Sequence, residues 1–187
     1  MKKDKIVRMV GIAILSAIVV ILQLLGSFIK LGPVVSVTLV LLPIVVGSAM
    51  YGPGAGAALG AVFSIVVLLQ PDTAFFYGIS FAGTVITVLV KGTLAGWLSG
   101  LVFRIFSNKN QWLAVGLSAM VCPLVNTGIF LLGCRLFFWN AIADLGGGDA
   151  LTYVITVMIG FNFIAEFFTN VICAPVIHRV LRAISKH

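Results

Sequence analysis

Three charged side chains interrupt otherwise apolar stretches of this chain: Lys91, Arg135 and Glu166. A charge at the centre of a bilayer costs at least about 2.5 kcal/mol, so each needs a partner, water or a ligand. Counted inward from the outer ends of the helices placed below, Lys91 is about 14 residues deep and Glu166 about 15, roughly 20 Å at a rise of about 1.5 Å per residue. The two can therefore pair at one depth. Asn126 sits close to the same level on the preceding helix, and Arg135 lies within one turn of the outer surface. Asn162, Glu166 and Asn170 follow each other at steps of four and form one polar stripe on an apolar helix. Such a stripe must face protein or water. It either fixes the bundle as interhelical hydrogen-bonding glue or lines a substrate cavity.

The remaining reactive residues do not assemble into a catalytic set. There is no Ser/His/Asp arrangement, no pair of carboxylates on one helix and no phosphate-binding glycine loop, and His178 and His187 both lie near the C-terminus. Cys122, Cys134 and Cys173 each sit inside an apolar stretch without a CxxC spacing and read as small buried hydrophobes. The chain is not expected to be an enzyme, to bind a metal or to carry a cofactor. With no nucleotide motif, any pumping must draw its energy from a partner or an ion gradient.

The elements that position these residues follow from composition. Of 187 residues, 61% are hydrophobic and 9% charged, and the mean hydropathy is +1.21. A soluble domain carries about a quarter charged residues. Stretches of roughly 20 apolar residues separated by breakers predict an all-α membrane bundle of six transmembrane helices. These fall at about 6–27, 34–50, 54–70, 77–105, 111–138 and 151–184, in a single integral membrane domain over 1–187. The basic segment before the first helix resembles a signal peptide, but no small-x-small cleavage site follows, so the helix is expected to be retained.

Tyr51-Gly52-Pro53-Gly54 and Ser107-Asn108-Lys109-Asn110 are short turns on one side. Ser27 to Pro33, Gln70 to Phe76 and Trp139 to Ala150 are longer connections on the other, the last containing the glycines 146 to 148. With the N-terminus inside, the inner ends carry Lys2, Lys3, Lys5, Arg8, Arg104, Lys109, Arg179, Arg182 and Lys186. The outer loops carry Lys30 with Asp72, Asp144 and Asp149. This asymmetry predicts cytoplasmic N- and C-termini. The net charge of +7 is thus a topology signal and not a nucleic-acid surface. Ala13 and Ala17 form a small-xxx-small pair on the first helix, which permits close approach of another helix. Gly54, Gly56 and Gly60, with alanines between and beside them, make the third helix richer in small residues than internal packing usually requires.

Several of these segments together resemble the S component, the substrate-binding subunit, of energy-coupling factor (ECF) vitamin transporters. They are Ala13/Ala17, Leu42-Pro43-Ile44, Tyr51-Gly52-Pro53-Gly54-Ala55-Gly56, Lys91-Gly92-Thr93-Leu94-Ala95-Gly96, Asn126 and Phe161-Asn162, and they span almost the whole chain. The resemblance implies a subunit in the plasma membrane of a prokaryote that binds one water-soluble vitamin from outside, using helices 4 to 6 and the external loops. It implies a membrane T component and two ATPases as partners. Ala13 and Ala17 would then dock the T component, the loops around Gly32 and Gly146 to Gly148 would act as a lid, and the subunit would topple in the membrane during transport.

Arg135 near the outer face, with Lys91 deeper, suggests a ligand bearing a carboxylate, because a guanidinium pairs with one bidentately. Asn126-Thr127-Gly128 with Asn162-Phe163-Ile164-Ala165-Glu166 is similar to pantothenate-type S components. The expected substrate-binding residues are Arg135, Asn126, Asn162, Lys91 and Glu166. A riboflavin or folate binder is an alternative within the family. Outside it, the alternative is a self-contained secondary transporter or channel with Lys91 and Glu166 as an ion relay, although no internal repeat of that kind is visible.

Overall fold

The structure, a computed structural model, describes residues 2–28 and 39–184, with side chains described over 5–26, 39–156 and 163–182. Lys30, Gly32, Lys186 and the start of the helix expected at 34–50 lie outside the described residues. Among those described there are helices and turns and no strand. In chain order the helices are α1 (Lys2–Phe28), α2 (Leu41–Tyr51), α3 (Pro53–Leu68), α4 (Ala74–Ile79), α5 (Phe81–Ser107), α6 (Gln111–Gly133), α7 (Trp139–Leu145), α8 (Ala150–Tyr153) and α9 (Gly160–Ile184). A π-helical segment, Cys134–Phe138, joins α6 to α7, and a second, Val154–Ile159, joins α8 to α9.

Among the described residues, four helical segments are long and apolar enough to cross a membrane: Lys5–Gly26, Phe81–Ser107, Gln111–Leu145 and Phe163–Arg182. Pro53–Leu68 and Pro71–Ile79 make a fifth if the pair, bent by 77°, is one span. Helix α2 has 11 described residues, about 16 Å, which is short of a bilayer's roughly 30 Å hydrocarbon core. Side chains such as Ile14, Ile65, Leu132 and Ile172 are more than half exposed, an arrangement that suits lipid and not water.

The core is built from the inward faces of α1, α2, α3, α5, α6 and α9: Val19, Leu41, Ile44, Leu59, Phe63, Ala95, Ala119, Cys122 and Ile177 are all buried there. Its closest contact is between α3 and α5. A Cβ placed on Gly56 would strike the Gly96 carbonyl and one on Gly96 the Gly56 carbonyl; Gly60 and Gly92 stand in the same relation one turn away. The Ser64 hydroxyl then donates to the Val88 carbonyl at 2.7 Å. Of the third-helix glycines that seemed surplus to packing, Gly56 and Gly60 are used by it, each letting two backbones touch where no apolar side chain would add a hydrophobic drive in lipid, whereas a Cβ on Gly54 would meet nothing within 4 Å.

Turn chemistry explains the joints. Gly52 ends α2 at φ +87°, a conformation costly for any residue with a Cβ, and Pro53 opens α3 with its φ already helical. The connection from Gln70 to Phe76 is not a plain loop. It turns through Pro71–Thr73 into α4, and the helix expected at 77–105 is broken at Ser80, whose hydroxyl caps α5 by accepting from Gly83 N at 3.2 Å. The connection from Trp139 to Ala150, read as one of the longer connections, is a helical hairpin of α7 and α8 closed at Gly147 and Gly148, both with positive φ.

The π-segment after α6 has a readable cause. Ala114, Ser118, Cys122, Asn126, Phe130, Cys134, Phe138 and Ile142 fall every fourth residue and are buried or half-buried throughout. A step of four overshoots an α-helical turn by about 40°, so an unbroken helix would rotate this series out of the core. A π-turn takes up the surplus residue.

Two predictions follow from these contacts. Gly60→Ala places a Cβ against fixed backbone and is expected to destabilise by about 3 kcal/mol, whereas Gly116, with nothing within 4 Å, should tolerate Ala and gain up to about 1 kcal/mol in helix propensity. Thermal unfolding of both variants in detergent checks the contrast, and equal behaviour would remove the seam's special role. At the hairpin, the Asp149 carboxylate accepts from Thr152 N at 3.1 Å and from the Thr152 hydroxyl at 2.7 Å. These hydrogen bonds hold its carboxyl below the ordinary range. A depressed folded-state value means that the cap contributes fully above the unfolded carboxyl pKa of about 4 and is lost as pH falls through the lower folded value. Amide protection factors at 150–153, corrected for the intrinsic pH dependence of exchange, should therefore fall in acid in the native chain but show no such pH-dependent step in Asp149→Asn.

Candidate functional site

Helices α5 and α6 are held in register by hydroxyl groups. Ser99 and Ser118 approach to 2.8 Å, each also donates to the other's backbone carbonyl, at 3.1 and 2.9 Å, and Ser48 of α2 stands 3.5 Å from Ser99. Asn110 fixes the start of α6 by accepting from Trp112 N and Leu113 N. In this antiparallel register Lys91 reaches the level of Asn126 and Phe130.

The Lys91 ammonium lies 5.1 Å from the centroid of the Phe130 ring, a cation–π distance. Glu166 of α9 is close enough to act electrostatically on both Lys91 and the Cys122 thiol, and Cys134 is likewise within range of Lys91. Asn170, one turn further along α9, donates its Nδ2 to the Glu166 carbonyl at 2.8 Å. The structure thus brings Lys91, Asn126 and Glu166 together where α5, α6 and α9 converge. Asn162 lies on α9, but its side chain is outside the described residues.

The cluster contains buried polar atoms with no hydrogen-bond partner among the described residues: Asn126 Oδ1, Asn170 Oδ1 and Thr87 Oγ1. Chemically, the convergence offers one cation on an aromatic face and acceptors that no group among the described residues occupies. It suits a ligand that carries an anionic group and hydrogen-bond donors. Thr87 and Phe130 were not singled out from sequence. Thr87 stands one turn before Lys91 on the same face of α5, so the i, i+4 spacing was a usable signal.

Arg135 is not part of this cluster. It is exposed on the π-segment, its guanidinium carbon 4.7 Å from the Trp139 ring centroid. It lines a pocket of about 410 Å³ with Ile79, Phe137, Asn140 and Asp144. A second apolar core of Cys134, Phe138, Ile142, Ala150 and Val154 lies under the α7–α8 hairpin. Phe76 of α4 meets Phe130 and Phe138 edge-on, with centroids 5.7 and 5.1 Å apart. Phe130 therefore belongs both to the aromatic group with Phe76 and Phe138 and to the surroundings of Lys91.

Away from the cluster, Ala13 and Ala17 are exposed on α1, beside Ile14 and Ile18. The opposite face of α1 is held to the α2–α3 turn, where Arg8 donates to the Tyr51 carbonyl at 2.7 Å and the Tyr51 hydroxyl fills the space a Cβ on Gly11 would need. No group of three or more His, Cys, Asp or Glu suited to a metal ion occurs among the described residues.

Comparison with known proteins places this arrangement in a family. The chain is similar to the pantothenic acid transporter PanT of Lactococcus lactis subsp. cremoris (strain MG1363), 28% identical over 95% of this chain and 94% of the relative. No solved structure matches it. The family described as ECF transporter, substrate-specific component, matches residues 7–178, so all the convergent residues fall within the match. The chain belongs to the substrate-specific components of ECF transporters.

Proposed function

We propose that this protein captures pantothenate from outside the cell and delivers it inward in a complex with a membrane T component and two ATPase subunits. The observation that carries the reading is the Lys91 ammonium on the Phe130 ring beside the unpartnered Asn126 Oδ1, a cation and an acceptor held where three helices meet. Pantothenate offers a carboxylate to the first and hydroxyl and amide donors to the second. The likeness to a pantothenic acid transporter over nearly the full chain supports the same substrate.

In this reading the chain crosses the plasma membrane of a prokaryote six times with both termini in the cytoplasm. The bent pair α3–α4 and the segment containing α2 supply the spans beyond the four long ones. Lys91 anchors the carboxylate of bound substrate. Arg135, exposed on Trp139, meets it first at the mouth. Glu166 balances Lys91 when the site is empty, and Asn126 and Asn162 contribute hydrogen bonds. The exposed Ala13 and Ala17 provide the surface on which the T component docks, since small side chains let a partner helix approach closely.

Mass spectrometry of the small molecule that co-purifies with the chain tests the substrate directly, and a different vitamin there would replace pantothenate. Pantothenate affinity and thermal stability measured on the same variants test the division of labour. Arg135→Ala should cost about 1 kcal/mol, mainly through a slower and more salt-dependent association. Lys91→Met, combined with Glu166→Gln so that no charge is stranded, should cost about 3 kcal/mol. The reverse order would move the carboxylate outward to Arg135.

Docking and energy are tested together in reconstituted vesicles. Ala13→Trp with Ala17→Trp should abolish ATP-driven uptake and assembly with the T component and leave pantothenate binding to the isolated chain intact. Accumulation by this chain alone under an ion gradient would instead establish a self-contained transporter.

A further inference from the structure

Among the described residues, the other buried hydroxyls are satisfied. Ser48 donates to Val45 O, Ser64 to Val88 O, Thr73 to Val67 O, and Thr84 to Ser80 O at 2.7 Å in the usual helical manner, four residues back. Thr87, on the same helix and 4% exposed, makes no such bond, and its Oγ1 is shielded without a partner. A buried polar atom left unpaired costs stability unless something outside the chain completes it.

The surroundings of Thr87 point to a ligand as that completion. Its side chain lies in the α5–α6 seam against Gly133, where a Cβ would strike its methyl and hydroxyl groups, so the position is fixed by packing and not by hydrogen bonding. One turn inward on the same face is Lys91, about 6 Å away along the helix. Asn126, 8% exposed and also with an unpartnered side-chain oxygen, lies across from Lys91 on α6. The ammonium and two incomplete hydrogen-bonding atoms thus occupy one short stretch of the α5–α6 interface.

We propose that Thr87 is a specificity-determining residue of this site, its hydroxyl hydrogen-bonding a hydroxyl or amide group of the ligand whose carboxylate is held at Lys91. Asn126 Oδ1 accepts from an N–H or O–H of the same ligand. The substrate class is a short, flexible carboxylic acid with hydroxyl or amide groups about one helical turn from its carboxylate. This rests on the reading of the chain as a vitamin-binding subunit and narrows the chemistry of its ligand. Pantothenate, with a carboxylate, a secondary amide and two hydroxyls on one chain, belongs to the class.

The test compares the native chain, Thr87→Val and Thr87→Ser for binding of pantothenate and of N-(3,3-dimethylbutanoyl)-β-alanine, which keeps the acid and the amide and lacks both hydroxyls. Thr87→Val should weaken pantothenate binding about ten- to a hundred-fold, and Thr87→Ser should retain most of the affinity. A loss confined to pantothenate assigns the contact to a ligand hydroxyl, and a loss shared by both compounds assigns it to the amide. Unchanged affinity in Thr87→Val overturns the proposal, as does a Thr87→Ser variant that is stably folded and equally impaired. Thermal stability of Thr87→Val should be equal or higher, because an unpaired hydroxyl has been removed. If the native chain binds neither compound, the pantothenate assignment fails by itself. The same variants are then compared with riboflavin, thiamine, biotin or folate, whichever binds, and a tenfold loss or its absence decides the role of Thr87.

Discussion

The backbone contact between α3 and α5 is the constraint on which the other placements rest. In lipid, apolar side chains gain nothing by leaving their surroundings for one another, so helices associate through the fit of their surfaces. Gly56 against Gly96 and Gly60 against Gly92 give the closest fit available, carbonyl against α-carbon. Lys91 is the residue immediately before Gly92, so its position across the bundle is set by how near α5 comes to α3. The serine contacts then set α6 against α5, and α6 presents Asn126 and Phe130 at the level of Lys91.

Much of this was legible in the sequence, and for identifiable reasons. Long apolar runs gave the helices because spacing and composition act locally. Lys91 and Glu166 stood out because charge is costly in hydrocarbon, and the structure brings them within electrostatic reach. What escaped notice depended on pairing between distant segments. Gly56 and Gly60 of α3 looked surplus until Gly96 and Gly92 of α5 were set opposite them. Thr87 was not singled out, because its missing hydrogen bond is a property of the folded chain. The Trp139 to Ala150 connection was read from its glycines, and the helix-forming residues before them prevailed. Arg135 lies in the π-segment and stacks on Trp139, away from Lys91; the every-fourth-residue series from Ala114 to Ile142 carried the signal for that turn, but its effect on Arg135 is visible only in the folded chain.

The two polar regions differ in kind. Around Arg135 the groups are exposed, with Asp144 and Asn140 lining the same pocket, and charges there act at long range and are screened by salt. Around Lys91 they are enclosed by helix faces, and each interaction is stronger and more dependent on position. Phe76, Phe130 and Phe138 adjoin the inner region, so the ring that contacts the ammonium also contacts the element covering it. A displacement of α4 or of the hairpin would be felt at Lys91 through Phe130.

The π-segment at Cys134–Phe138 also constrains how the length of this chain can vary through descent. It holds one residue more than an α-helical path would use, and that residue sets the rotation of everything after it. Losing a single position between Gly133 and Trp139 would restore a regular helix and turn α7 by about 100° about its axis, carrying Phe138 and Ile142 out of the second core. Substitutions in this stretch are therefore easier to absorb than gaps. A relative that lacks one residue there must either compensate further along or pack this end of the bundle in a different way.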